Sequence, residues 1–348
     1  MTNISPSGLA IVGSFSIDSV LTPTGRALPA KPGGNALWSA MGAYLGGRTP
    51  HLVARVGRDY PPQVLDRLDN GGFDLSALVH LECDHPVRVS YAHRPDGGRL
   101  HPVPASLLAH LPNTDRAAFI DTTGAPETLV LGAPAPADIP EAWLDRVAFW
   151  HLPLLPLERH RALVALLAQA RGVVQADCPA RHELVGDPFA RLAQTLPKLD
   201  VFLPSTSDLE VVAPGLAPRD ALTAFRAHGA GTVVLKAGPE GVFVDDGGQR
   251  IQLDAYLADP IDPTGAGDAF CGGFLAGRVG GADLIEAAAL GSACASFALA
   301  TANPLDLFEV DRAAVNARAR ILLKTARPLP PEPRSTEGMV ATITGDRK

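Results

Sequence analysis

The sequence predicts an α/β protein built on a mostly parallel sheet, and three features carry that prediction. The middle of the chain alternates short apolar runs with helical stretches: a strand at 147–151, a helix at 157–170, a strand at 173–177, a helix at 188–195 and a strand at 200–204. Such a rhythm implies parallel strands joined by right-handed crossovers. Near the start, Leu9-Ala10-Ile11-Val12 is a continuous apolar run of the kind buried on both faces of a sheet. The chain has 348 residues, 46% of them hydrophobic and 19% charged, which is ample for one large core.

Composition removes several classes. The formal charge of −7 leaves no basic footprint, so nucleic acid and anionic membrane are not expected partners. Residues 1–8 lack the basic and apolar regions of a signal peptide, and the apolar stretch at 287–300 is too short to span a bilayer. Cys83, Cys178, Cys271 and Cys294 show no metal-ligand spacing and read as buried thiols in a reducing compartment. The expectation is a cytoplasmic protein.

Taken in order, the run from Leu9 to Asp18 reads as a central strand whose carboxyl end carries Asp18, where open α/β sheets bind ligands. Pro32-Gly33-Gly34-Asn35 precedes a small-residue helix at 36–45. A strand with a turn follows at 51–59, then a helix at 61–70. Residues 87–93 alternate, 94–98 supply a turn and 99–103 run back, which is a hairpin pattern. Phe119-Ile120-Asp121-Thr122-Thr123-Gly124 partly mimics a phosphate loop. No suitable helix follows it, so it is read as a strand end and loop. Residues 232–244 read as strand, glycine turn and strand around Gly238 and Gly241. An apolar helix is expected at 284–301 and a last helix at 311–324.

The chemistry concentrates in Asp262-Pro263-Thr264-Gly265-Ala266-Gly267-Asp268-Ala269-Phe270, followed by Cys271-Gly272-Gly273-Phe274. Pro263 ends the preceding extended segment, and Gly265 and Gly267 let the backbone curl into a helix start. Free N–H groups and the helix dipole there favour a phosphate. Asp268 has two readings on spacing alone. It is a general base for an attacking hydroxyl, or it is a helix cap.

These residues resemble the signature of the ribokinase/PfkB family of carbohydrate and nucleoside kinases, and the likeness extends over about 9–324. The resemblance implies a ribokinase-like three-layer α/β/α domain at 9–325 with a small β lid from about 19–28 and 86–103. Residues 326–348 are expected to be a Pro-rich disordered tail. It makes Asp268 the catalytic base and Gly265, Ala266 and Gly267 the anion hole. It gives the acceptor Asp18, Gly33, Gly34 and Asn35. Nucleotide contacts fall to Lys236, Gly238, Gly241, Thr264 and Ser205, and the loop at Asn303-Pro304 would line the adenine pocket.

Three departures stand out, one of them Ser39 where the family often has Asn. Ser16 replaces a usual Asn before Asp18. Where the family has Asn-x-x-Glu, this chain has Ser205-Thr206-Ser207-Asp208, so Asp208, with Glu210 as alternative, becomes the acid linked to Mg²⁺. ATP and Mg²⁺ are the implied cofactors. A monovalent cation such as K⁺, held by backbone oxygens near Asp262 and Thr264, is a further family feature. The implied activity is phosphorylation of a hydroxyl on a sugar or small polyol, with a nucleoside as alternative acceptor. A rival reading is a catalytically weak nucleotide- or metabolite-binding protein of the same fold. Nucleoside pockets need aromatic faces, and Phe15, Trp38 and Tyr91 are the candidates. Lids of this family often pair between subunits, which makes a homodimer compatible with the sequence.

Overall fold

The computed structural model describes residues 7–94, 98–257 and 260–329. Its strands, in chain order, are β1 (Ser7–Val12), β2 (Ser16–Leu21), β3 (Ala27–Gly33), β4 (His51–Val56), β5 (Asp74–His80), β6 (Arg88–His93) and β7 (Arg99–Leu100). They continue with β8 (Val147–Leu152), β9 (Val173–Ala176), β10 (Val201–Phe202), β11 (Thr232–Lys236), β12 (Val242–Asp245), β13 (Arg250–Leu253) and β14 (Arg327–Pro328). Ten of them form one sheet in the order β14-β13-β12-β11-β10-β9-β8-β1-β4-β5. The run from β5 to β11 is parallel, and β12, β13 and β14 add antiparallel at one edge.

Alternation along these strands feeds two cores. Leu9 and Ile11 of β1 point to one face, where the helices Asn35–Leu45, Ala266–Val279 and Leu284–Ala298 pack. Ala10 and Val12 point to the other, beneath Leu157–Leu167 and Pro218–Ala227. Both faces are therefore dry, as parallel sheets require. The result is the three-layer α/β/α arrangement expected from the sequence. On the first face the helices touch backbone to backbone. A Cβ on Gly272 would overlap the Ser39 carbonyl, so the small-residue run after Asp268 is what lets these helices approach.

The remaining strands form a second sheet in the order β3-β2-β6-β7, closed beneath by Leu21, Ala92, Val103, Leu108 and Leu111. This sheet overlaps the lid segments 19–28 and 86–103 read from the sequence, with β2 beginning earlier at Ser16 and β3 running on to Gly33. The turn of the β6–β7 hairpin at 95–97 lies outside the described residues.

Several readings are corrected. The segment Leu9–Asp18 is not one strand: the chain leaves the main sheet after Val12, and Asp18 sits on lid strand β2. Burial is unbroken along β2, so periodicity gave no sign of the change of sheet. Phe119 and Ile120 are not in a strand. The loop after them instead braces β6, with the Asp121 carboxylate accepting from Ser90 N at 2.7 Å and Thr122 Oγ1 accepting from Arg88 N at 2.9 Å. Arg327 and Pro328, assigned to the tail, pair with β13, whereas 330–348 lie outside the described residues. Cys83 is exposed, while Cys178, Cys271 and Cys294 are buried; all four are free thiols.

Candidate active site

The carboxyl ends of β9, β10 and β11 face the start of the helix Ala266–Val279. Gly265 caps that helix with φ 79°, the left-handed region that glycine tolerates. The Trp38 ring fills the space where a side chain would lie on Gly265. Ala266 N–H makes a long 3.4 Å contact to Pro263 O, and Ala269 N–H bonds Gly265 O at 2.8 Å. The N–H groups of Gly267 and Asp268 between them find no acceptor among the described residues. They point out of a helix N-terminus, the ordinary geometry of an anion site.

Asp268 is half-buried in the first turn, and among the described residues its carboxylate makes neither a hydrogen bond nor an ion pair. Burial, with Asp177 and Asp208 nearby, raises its pKa to about 7, although Lys236 pulls the other way. An unpaired acid that titrates near neutrality beside free amides can take a proton from an alcohol.

Lys236 ends β11. Its Nζ lies 2.6 Å from Asp177 Oδ2 and 3.3 Å from Cys271 Sγ. Burial opposes its charge, but Asp177 outweighs this and holds the lysine protonated. Gly238 and Gly241 form the turn that follows, at φ 53° and 88°, leading into β12 as the sequence reading had it. Ser205 precedes the helix Thr206–Val212, where Asp208 Oδ2 accepts from Ser205 N at 2.8 Å and Ser205 Oγ at 2.7 Å. The nearest cation to Asp208 is Arg181, at 3.8 Å. Glu210, two residues on and so around the helix from Asp208, is exposed.

Among the described residues no group of three or more His, Cys, Asp or Glu is placed to hold a metal. With one Asp208 oxygen spent on the helix cap, the residues present fit a divalent ion carried by phosphates and water better than a protein cage.

On the acceptor side, Asp18 is buried on β2 and its Oδ1 accepts from Ser16 Oγ at 2.6 Å. Ser16, the departure from the family pattern, is thus a partner of Asp18. Burial raises the Asp18 pKa to about 6, against the pull of the Ser16 hydroxyl, and Asp262 adds to the rise. A Cβ on Gly33 would overlap the Asp18 carboxylate, and Gly34 turns into the helix at φ 98°. Asn35 has partners within the protein. Its Oδ1 accepts from Ser14 N at 3.0 Å and its Nδ2 donates to Leu154 O at 2.6 Å, tying strand ends together. Asp262 and Thr264 connect the two halves. Asp262 Oδ1 accepts from Thr264 N at 2.8 Å and stands 3.2 Å from His93 Nε2, while Tyr91 Oη donates to Oδ2 at 3.3 Å.

Asp177 and His93 were not assigned roles from the sequence, and Tyr91 was read only as a candidate stacking face. Asp177 closes β9 just as strand-end acids do in such sheets, and that rule would have found it. The three aromatic candidates are all buried: Phe15 stacks on Tyr60, Trp38 covers Gly265, and Arg99 sits over the Tyr91 ring. Asn303 caps the short helix Pro304–Glu309, and Lys31 of the lid donates to Ala302 O beside it.

Residues 115–307 match the model of the pfkB family carbohydrate kinases. The chain belongs to this family. It is accordingly a kinase that uses an alcohol group as phosphate acceptor. A cytidine kinase from Thermococcus kodakarensis is 28% identical over 289 residues, 81% of this chain and 92% of the relative. An ATP-dependent 6-phosphofructokinase from Thermoanaerobacterium thermosaccharolyticum is 33% identical over 115 residues, which is 33% of this chain and 36% of that one. Among solved structures, ribokinase from Thermotoga maritima aligns with a TM-score of 0.68 at 19% identity, covering 90% of this chain and 99% of its own. Burkholderia thailandensis nucleoside kinase, solved with inosine, aligns at 0.69 with 20% identity over 92% of this chain and 98% of its own. Identities this low establish the ribokinase-like fold and leave the acceptor open. No helix among the described residues is long and apolar enough to cross a membrane.

Proposed function

We propose that this family member transfers the γ-phosphoryl group of ATP to a hydroxyl of a sugar or related polyol, with Asp268 as general base. One observation carries the reading. The Asp268 carboxylate is unpaired beside the two unclaimed N–H groups at a glycine-led helix start. A carboxylate there repels phosphate and is retained at an electrostatic cost. Proton abstraction gives it a purpose that capping does not, since it caps nothing here. Asp18, with Gly33 and Gly34 beneath it, orients the acceptor so that one hydroxyl meets Asp268. Lys236, Gly238 and Gly241 flank the nucleotide, and Gly267 N–H takes up charge on the moving phosphoryl group. Asp208 would be the residue to help hold a Mg²⁺ ion brought in with the nucleotide, and such an ion would supply neutralisation of phosphate charge.

Two observations bear on the acceptor. No aromatic candidate presents a free face for a base, which favours a sugar. The long match to a cytidine kinase favours a nucleoside as the second reading. A thermal-shift screen of sugars and nucleosides with a non-hydrolysable ATP analogue, followed by turnover assays on the hits, separates them. Asp268→Asn should keep nucleotide binding and lose roughly 10²–10⁴-fold in rate. Near-normal turnover would reject the base assignment. Binding of a hit without phosphate transfer would favour the binding-protein reading. Initial rates in K⁺ against a bulky organic cation, and light scattering for a lid-mediated dimer, test the two remaining family features.

A further inference from the structure

Three carboxylates surround one ammonium at this site. Asp208 is engaged by its own helix cap, through Ser205 N and Oγ. Asp268 is unpaired. Asp177, 8% exposed at the end of β9, takes Lys236 Nζ at 2.6 Å while Cys178 N donates to its other oxygen at 2.8 Å. The ammonium so held lies beside the phosphate loop, since a Cβ built on Gly267 would stand 3.8 Å from Nζ. Lysine has a flexible four-carbon stem and a point charge, so without an anchor it would move to the nearest free carboxylate. Asp268, unpaired and adjacent to Gly267, offers such a carboxylate. A lysine paired with Asp268 would neutralise the base and leave the phosphoryl group without a cation.

We propose that Asp177 is a positioning residue that pins Lys236 beside Gly267, keeping the ammonium available to the terminal phosphate and away from Asp268. The proposal rests on the kinase reading above. It assigns to Asp177 a role that is neither substrate contact nor general stability.

Calorimetric titration of the full-length protein with Mg²⁺ and either the imido analogue of ATP or ADP tests it. Asp177→Asn should weaken the ATP analogue about tenfold and leave ADP within about twofold, the scale of losing one charge-assisted hydrogen bond. Lys236→Met should do the same, and the double variant should be no weaker than either single one. Non-additivity of that kind is not expected of a residue that only supports the fold. Wild-type analogue affinity in Asp177→Asn, or losses that simply add in the double variant, would overturn the proposal. Should Asp177→Asn fail to fold, Asp177→Glu keeps the charge and shifts the ammonium by one methylene. A several-fold weaker analogue with unchanged ADP then supports the assignment, and unchanged analogue affinity overturns it. Wild-type protein that binds neither nucleotide would remove the kinase reading itself and the proposal with it. Loss of the Asp177 effect in a protein that binds both removes the proposal alone.

Discussion

The indole of Trp38 occupies the space that a side chain on Gly265 would need, so the helix Asn35–Leu45 shapes the start of the phosphate loop. Two constraints therefore meet at Gly265, a left-handed φ of 79° and a wall of aromatic carbon. Gly265→Ala should destabilise the protein by roughly 1–3 kcal/mol through strain and overpacking. Trp38→Leu in the same chain should recover part of that loss by opening space. Urea unfolding of the single and double variants measures both. Equal stability of Gly265→Ala and wild type would mean that the loop is not held as described.

The Asp268 carboxyl has a pKa of about 7 in place of 3.8, chiefly because burial disfavours its charge. The native state thus binds more protons than the unfolded chain between these values, so stability falls as pH rises through that window and levels off above it. Asp268→Asn lacks this dependence. The difference in unfolding free energy, wild type minus variant, should decline from about pH 4 to pH 7 and then stay flat. Activity should run in the opposite sense, because the base works only when ionised. For a confirmed acceptor, kcat/KM should climb with pH and level off above about 7. A profile flat from pH 5 to pH 8 would exclude Asp268 as the titrating base.

Tyr91 and His93 on lid strand β6 both reach Asp262, which also receives Thr264 N–H inside the phosphate loop. Lid and loop are thereby joined through one buried carboxylate. Asp262→Ala orphans the Thr264 N–H and the Tyr91 hydroxyl together and should cost about 1–3 kcal/mol for each group left unsatisfied away from water. Tyr91→Phe removes a single long hydrogen bond and should cost no more than about 1 kcal/mol. Chemical denaturation ranks the two variants, and a larger loss in Tyr91→Phe would contradict this reading of the junction.

Much of the fold was legible because it is local. The apolar runs that became β8, β9, β10 and β11, and the glycine-led start at Gly265, declare themselves within a few residues. The edge strand β5 was not read because its half-exposed pattern lacks a clean alternation, and β13 was not read because its alternation spans only Arg250–Leu253. Pairings between distant segments were equally hidden. Nothing near Asp177 announces Lys236, 59 residues on, and nothing near Trp38 announces Gly265. The protein partners of Asn35 were hidden for a related reason. Its amide faces the strand ends at Ser14 and Leu154, which come together only in the folded chain.

Gly33 is the counterpart of Gly265 on the acceptor side. Its backbone passes so near Asp18 that a Cβ would overlap the carboxylate. Gly33→Ala must therefore push Asp18 away from its place and strain the 2.6 Å hydrogen bond from Ser16 Oγ. The variant should raise KM for the acceptor about tenfold, as expected for one lost hydrogen bond to a charged group, and leave the dissociation constant of the ATP analogue unchanged. Steady-state kinetics beside calorimetry separates the two quantities. If nucleotide affinity fell as far as acceptor affinity, Asp18 would not be an acceptor-side residue, and the division of the cleft between lid and phosphate loop would have to be redrawn.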